Sequence, residues 1–169
     1  AMRFLVKPMD FPNAFMYGAG HGGVEAMLLS GVPAINNIAS AVMINSGTMS
    51  AQLATLDAEK AADTAAALSA LWTTPSLTFF AGGVERIIAV VLHLSLSILV
   101  FQSIRKKSQK DLLNAYLFHF VIDSLSVLLS AVASVWVVEL VTALVTGGAV
   151  LMARYACMEE GTRGNILDL

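Results

Sequence analysis

The sequence predicts an all-α membrane protein, a bundle of about four membrane-spanning helices plus one helix outside the membrane or at its interface. Its 169 residues are 57% hydrophobic and 13% charged, with a mean hydropathy of +0.74, whereas soluble domains are much less apolar. In residues 112–153 the only acidic, basic or imidazole side chains are His119, Asp123 and Glu139. As one helix this stretch would be about 60 Å long, so it is expected to cross the membrane twice.

Apolar runs and charged ends set the boundaries of four spans within a single membrane domain covering residues 1–169. The spans are expected at about residues 14–45, 77–104, 111–131 and 134–153. Pro33 predicts a kink in the first span, and Asp57 can cap a connecting helix over about residues 58–71. The chain starts on Ala rather than Met, and its opening reads like sequence from inside a protein, so we expect the C-terminal part of a larger one.

The loops predict the orientation of the protein. The linker at residues 105–110 carries four basic side chains and is therefore expected on the cytoplasmic side, while the acidic loop around residues 57–63 faces out. This topology is typical of a multi-pass protein of the cell (cytoplasmic) membrane. The net charge of −2 and the lack of a basic surface give no indication of nucleic-acid binding. These features make the lipid bilayer an expected partner.

One histidine stands in a glycine-rich stretch of the first span, which reads Gly20-His21-Gly22-Gly23-Val24-Glu25. His21 and Glu25 are four residues apart, so they share one face of a helix. Glycines on both sides of His21 lack the bulk that keeps a neighbouring helix at a distance. Side chains from other helices are therefore expected to reach this imidazole.

The other two histidines also lie in spans that carry acidic groups. His93 follows the pair Glu85-Arg86, and His119 precedes Asp123 by one helical turn. Counted from the cytoplasmic ends of their spans, these two histidines and the glutamate of the glycine-rich stretch lie at depths of about 12–18 Å. We therefore expect the three imidazoles to converge on one site in the cytoplasmic half of the bundle.

Ionisable groups inside a bilayer cost about 2.5–3.5 kcal/mol each, so they persist where they pair, bind an ion or contact water. A mixed set of imidazoles and carboxylates suits zinc, or a water activated by a carboxylate general base. Cys157 is the only cysteine, which excludes an internal disulfide and disfavours a cysteine-based metal site. A structural interpretation stays open, in which each histidine is an interhelical hydrogen-bonding group and Glu85-Arg86 an ion pair or interface anchor.

The order of these motifs resembles the YhfC family of membrane peptidases, within the CAAX-protease and bacteriocin-processing superfamily. The resemblance runs from about Arg3 to Ser130. Its motifs are Gly-x-Gly-His-Gly-Gly-x-Glu-Ala at residues 18–26, Glu-Arg with His seven residues after the Arg, and His-x-x-x-Asp. It implies an aromatic-x-x-x-His motif at Tyr17 and His21.

The resemblance further implies a His-x-x-x-Asp motif at His119 and Asp123, and it matches His93 to a histidine of the intervening helix. The leading motif of the superfamily is a pair of glutamates shortly before an arginine. Arg3 would be that arginine, with the glutamates before residue 1. No residue of this chain therefore takes their role by resemblance, although Glu25 is a carboxylate that could serve.

The resemblance implies intramembrane peptide-bond hydrolysis, which is the favoured function, with a peptide or membrane-protein substrate as the expected partner and Zn2+ as the candidate metal. The candidate catalytic residues are His21, Glu25, His93, His119 and Asp123. The candidate metal ligands are His21, His93, His119 and Asp123, and the candidate supporting residues are Tyr17, Glu85 and Arg86. Two alternatives stay open, a non-catalytic membrane scaffold with the same polar centre and an ion- or proton-coupled transporter.

Overall fold

The computed structural model describes the backbone of residues 2–167 and the side chains of residues 2–4 and 6–158. All regular secondary structure in this part of the chain is helical. The helices are α1 (Met2–Leu5), α2 (Phe11–Ala26), α3 (Val32–Asn45), α4 (Thr48–Leu53), α5 (Ala58–Thr73), α6 (Ser76–Lys106), α7 (Gln109–Ser130) and α8 (Val135–Leu167).

Four helical segments are long and apolar enough to cross a membrane. They are Phe11–Asn45, Ser76–Lys106, Gln109–Ser130 and Val135–Met158. Each is long enough to match a hydrocarbon core of about 30 Å at 1.5 Å per residue. The prediction of an all-α protein with four spans and additional helices is therefore confirmed.

A single π-helical turn, Met27–Gly31, lies between α2 and α3 and keeps the first candidate span helical throughout. Pro33 follows this turn, near the start of α3. A proline has no N–H and its ring clashes with the carbonyl four residues earlier, so the regular α-helical ladder cannot run through it. Widening into a π turn accommodates this interruption. The irregularity predicted near Pro33 thus falls in the turn that precedes it.

Asp57 is the N-cap of α5. Its Oδ1 accepts a hydrogen bond of 2.9 Å from the backbone N–H of Lys60, and its Oδ2 lies 2.8 Å from Lys60 Nζ. The bond from the Lys60 side chain, with that from the Lys60 backbone, holds the pKa of the Asp57 carboxyl below its ordinary value. The bond from the Lys60 backbone N–H is the capping contact predicted from the sequence.

The described residues form two compact units. The first contains the residues up to Ala26 together with those from Val84 onward, and the second is Met27–Gly83. The core of the first unit lies between α6, α7 and α8. It consists of Leu92, Leu96, Leu99, Ala115, Ile122, Ala149, Ala153 and Ala156. The alanines of α8 are small enough to let its backbone approach its neighbours closely.

Polar contacts also join α6 to α8 within the first unit. Gln102, 1% exposed, donates from Nε2 to Cys157 Sγ at 3.3 Å, and Lys106 Nζ donates to the carbonyl of Ala156 at 2.6 Å. The second unit contains α3, α4 and α5 and exposes apolar side chains along α3, among them Ile35 and Ile38. Such exposed apolar faces are ordinary in a helix that contacts lipid.

Candidate metal centre

α2 packs against α6 through small residues, which brings the two backbones close together. A Cβ added to Gly18 would lie 2.9 Å from Ser97 Cβ, and one added to Gly22 would lie 2.9 Å from His93 Cβ. Ala14, one turn before Gly18, is fully buried. Small residues at four-residue spacing on one helix face allow this kind of approach in a membrane. His93 can therefore reach the His21 face of α2.

The glycines next to His21 do not all serve this contact. The glycines on both sides of His21 were predicted to let a neighbouring helix approach, and for Gly22 this is confirmed. A Cβ on Gly20 or Gly23 would meet no atom of the described residues within 4 Å. Residues four apart share a helix face whereas adjacent residues do not, so the second contacting glycine is Gly18.

The three imidazoles lie in a row contributed by α2, α6 and α7. The ring centroids of His21 and His93 are 4.7 Å apart, and those of His93 and His119 are 5.3 Å apart. Tyr17 extends the row, with its ring 6.2 Å from that of His21 in an edge-on arrangement. The predicted convergence of three histidines from three helices is therefore confirmed.

Glu25 joins this row through His93. Its Oε2 lies 3.0 Å from His93 Nε2, and the His93 side chain is 5% exposed whereas that of Glu25 is 34% exposed. Glu25 is one helical turn after His21 on α2, so a single helix carries both an imidazole and a carboxylate to His93. His93 is the most enclosed member of the group.

His21, Glu25 and His93 form a group that is suited to hold a metal ion. Each offers one ligand atom, and these atoms lie within 4.8 Å of one another. Ligand atoms around a tetrahedral zinc ion at 2.0–2.1 Å would be about 3.3 Å apart, so modest side-chain movement would complete such a site. Two imidazoles and one carboxylate are also a ligand set found in catalytic zinc sites that keep one open position.

His119 and Asp123 form a second pair on α7. His119 Nδ1 lies 2.7 Å from Asp123 Oδ2. This contact fixes the orientation of the His119 ring and leaves Nε2 as its second polar atom. The Asp123 side chain is 65% exposed. His119 reaches the centre by its ring contact with His93, and both residues lie outside the three-residue donor group, so their predicted role as ligands stays a prediction.

A cavity of about 400 Å3 opens beside the three histidines. From His93 it continues along α6 past Ser97 and Val100 to Ser103 and Ile104. The twelve residues from His93 to Ile104 span about 16 Å, toward the basic end of the helix. The lining is mostly apolar and includes Arg3 and a few hydroxyl groups, and an apolar wall with few polar groups is typical of a ligand-binding site. Ser103 was not among the predicted site residues, because its signal was only its position on the same face of α6.

The proposed supporting pair Glu85-Arg86 does not join the histidine row. The two side chains contact each other through Arg86 Nη2 and Glu85 Oε1. Glu85 lines a different cavity, together with Glu139 of α8. Of the three predicted supporting residues, only Tyr17 lines the cavity beside the histidines.

The sequence of this chain is similar to known membrane proteins. A family model described as YhfC intramembrane metalloprotease matches residues 1–142. The chain is 36% identical over 119 residues to the uncharacterized membrane protein YhfC of Bacillus subtilis (strain 168). That alignment covers 70% of this chain and 45% of the relative, so the chain spans about half the length of that protein. No solved structure matches the chain.

Proposed function

Because the chain belongs to the YhfC intramembrane metalloprotease family, we propose that it supplies the metal centre of an enzyme that hydrolyses peptide bonds in membrane-associated substrates. The observation that carries this proposal is the group formed by His21, Glu25 and His93, whose ligand atoms lie within 4.8 Å of one another beside a cavity. The protein is expected to act in the cytoplasmic membrane.

The donor set supports a divalent metal of the zinc type. Imidazole nitrogen and carboxylate oxygen are common zinc ligands, and a set of three leaves a position open for a substrate or for water. When bound, the ion supplies Lewis-acid polarisation of a peptide carbonyl. His21 and His93 would hold it through ring nitrogens, and Glu25 through a carboxylate oxygen.

The chain's own residues then orient the reacting groups. Before an ion binds, Glu25 fixes the His93 ring, because its carboxylate lies 3.0 Å from Nε2. Asp123 does the same for His119 at Nδ1. With the ring held by Asp123, an N–H at Nε2 of His119 can donate a hydrogen bond to the oxygen that becomes negative during peptide hydrolysis. His119 is thus suited to bind the oxyanion.

The cavity beside the histidines is suited to an apolar stretch of substrate. Leu96, Val100 and Ile104 give it an apolar wall along α6, and the hydroxyls of Ser97 and Ser103 lie on the same wall. An extended peptide rises about 3.3 Å per residue, so about five residues would fill the 16 Å between His93 and Ile104. The hydroxyls can then bind peptide groups that would otherwise lack hydrogen bonds in the membrane.

The first experiment measures metal content in the purified full-length protein by elemental analysis. We expect about one zinc-type ion per protein in the wild type and at least about tenfold weaker binding in His21→Ala, His93→Ala and Glu25→Gln. Glu59→Gln is the matched control for the glutamate, because Glu59 lies in the first turn of α5. Loading with Co2+ gives a second readout, since its visible spectrum reports nitrogen and oxygen ligands.

The second experiment measures cleavage. Membrane-anchored fluorogenic peptides with an apolar segment are reconstituted with the protein, with and without a chelator. We expect turnover in the wild type that stops on chelation and in His93→Ala. The proposal would be overturned if the wild type binds no metal. It would also be overturned if turnover and metal content are unchanged in all three variants. Metal binding without any turnover would instead favour the non-catalytic scaffold.

A further inference from the structure

A second polar cavity, here called the outer cavity, lies where α6, α7 and α8 meet, away from the basic end of α6. It measures about 370 Å3. Its polar lining residues are Glu85 of α6, Ser126 and Ser130 of α7, and Glu139 of α8. It shares no lining residue with the cavity beside the histidines. Glu85 precedes His93 by eight residues, about 12 Å along α6, so the two polar regions are distinct.

Glu139 is the buried member of the outer cavity. It is 7% exposed, and its Oε2 has no hydrogen-bond partner among the residues that the structure describes. The charged groups that interact with it are Glu85 and Arg86 of α6, while α7 presents only the hydroxyls of Ser126 and Ser130. A buried carboxylate oxygen without a partner is costly, which indicates that something else binds it.

The charges of this cluster do not balance. Arg86 is held by Glu85, and its Nε is buried without a partner in the described part of the chain. One guanidinium against two carboxylates leaves a net charge of −1 when Glu85 and Glu139 are both ionised. Such a charge is unfavourable inside a bilayer unless a proton or an ion of opposite sign neutralises it. A monovalent cation makes the cluster neutral, whereas a divalent one would leave an excess positive charge.

The polar side chains that line the outer cavity offer only oxygen atoms as ligands. The Ser130 hydroxyl donates to the carbonyl of Val127 at 2.9 Å, so its oxygen can still accept or coordinate. Together with Ser126 and the two carboxylates it offers the oxygen-rich environment that hard cations prefer. The volume exceeds that of a single ion, so bound water can complete the coordination.

We propose that the outer cavity binds one monovalent metal cation, for which Na+ is the probe, through Glu139, Glu85 and the hydroxyls of Ser126 and Ser130. The ion neutralises Glu139 and links α8 to α6 and α7 at this end of the bundle. The site stands apart from the histidine centre and does not depend on peptidase activity.

The test measures thermal unfolding of the purified full-length protein in NaCl and in choline chloride at constant ionic strength. Binding to the folded state alone raises the midpoint with ion concentration. We expect a saturable Na+-dependent rise of about 3 °C or more. In Glu139→Gln this rise disappears, and in Ser130→Ala the concentration that gives half of it increases at least about threefold. Broadening of the 23Na resonance by the wild type provides a direct measure of binding.

Glu59→Gln on α5 is the matched control and keeps the full response to Na+. Far-UV circular dichroism and a single elution peak in detergent show whether each variant is folded, and Glu85→Gln replaces Glu139→Gln if the latter does not fold. Equal unfolding midpoints of the wild type in the two salts overturn the proposal. This result is also expected if a proton, rather than Na+, neutralises Glu139. An unchanged Na+ response in Glu139→Gln overturns it as well.

Discussion

Gly22 lies directly against His93. A Cβ built on Gly22 would approach His93 Cβ to 2.9 Å, the Val90 Cα to 3.2 Å and His93 Cδ2 to 3.4 Å. The first distance is shorter than real Cβ contacts, and the second involves backbone, which cannot rotate away. The glycine therefore sets how closely α2 and α6 approach, and with it the distance between the ligand atoms on the two helices.

The Gly22→Ala substitution should push α2 away from α6. Overpacking of this kind costs about 1–3 kcal/mol, and we expect metal affinity to fall about tenfold or more because His93 separates from His21 and Glu25. Chelator competition measures the affinity. Gly23→Ala is the control, since a Cβ there meets no described atom within 4 Å. Equal affinities in the two variants would contradict the assignment of Gly22.

The Asp123→Asn substitution should separate orientation from metal binding. The amide keeps the shape of the side chain but lacks the charge that holds His119 Nδ1, now 2.7 Å from Asp123 Oδ2. Loss of such a partner typically costs about 10–100-fold. We expect this loss in cleavage rate with unchanged metal content. Asp111→Asn in the first turn of the same helix is the control, and a metal content that falls with the rate would place Asp123 among the ligands.

The Leu99→Ala substitution should test the core between α6, α7 and α8. Leu99 is fully buried in this core, and truncating a buried leucine costs about 2–5 kcal/mol. Leu128 is 67% exposed in the structure, so Leu128→Ala should change stability within about 0.5 kcal/mol. Denaturant unfolding in detergent micelles measures both. Similar losses for the two leucines would mean that this core does not dominate stability.

The Asp57 cap should respond to pH in a defined direction. Contacts with Lys60 hold the pKa of Asp57 below 3.8, its ordinary value. A carboxyl whose pKa is lower in the folded protein stabilises it fully above its unfolded pKa, and this stabilisation is lost as the pH falls through the lowered value. In Lys60→Gln we expect the NMR titration midpoint of Asp57 to rise. An unchanged midpoint would show that the Lys60 side chain does not cause the lowered pKa of Asp57.

The helices and the meeting of the histidines could be predicted because both follow from simple geometry. Apolar runs fix where a chain crosses a bilayer, and counting residues from the charged ends gave similar depths for His93 and His119. The close α2–α6 contact was predicted from glycines, but its second glycine, Gly18, was missed. The contacting residues are spaced four apart along α2, whereas the prediction considered only the glycines adjacent to His21 in the sequence.

The position of Glu85 shows why the rest of the site was harder to predict. Steps of four residues along a helix advance by about 40° each, so Glu85 is turned by about 80° from His93 after two steps. This rotation is enough to direct it toward Glu139 rather than the histidines. The sequence also places Glu25, His93 and His119 near one depth but does not give ring orientations, and these separate His119 from the group of His21, Glu25 and His93.

The donor group has a consequence for how the protein is made. His21 and Glu25 belong to α2, whereas His93 belongs to α6, and the segment Met27–Gly83 is synthesised between them. If the proposed centre holds a metal, a nascent chain that has inserted only α2 carries two of the three donors and would hold the ion weakly. Tight binding would then require that α6 has left the ribosome and entered the bilayer, so metal retention by length-arrested chains would report the completion of this half of the bundle.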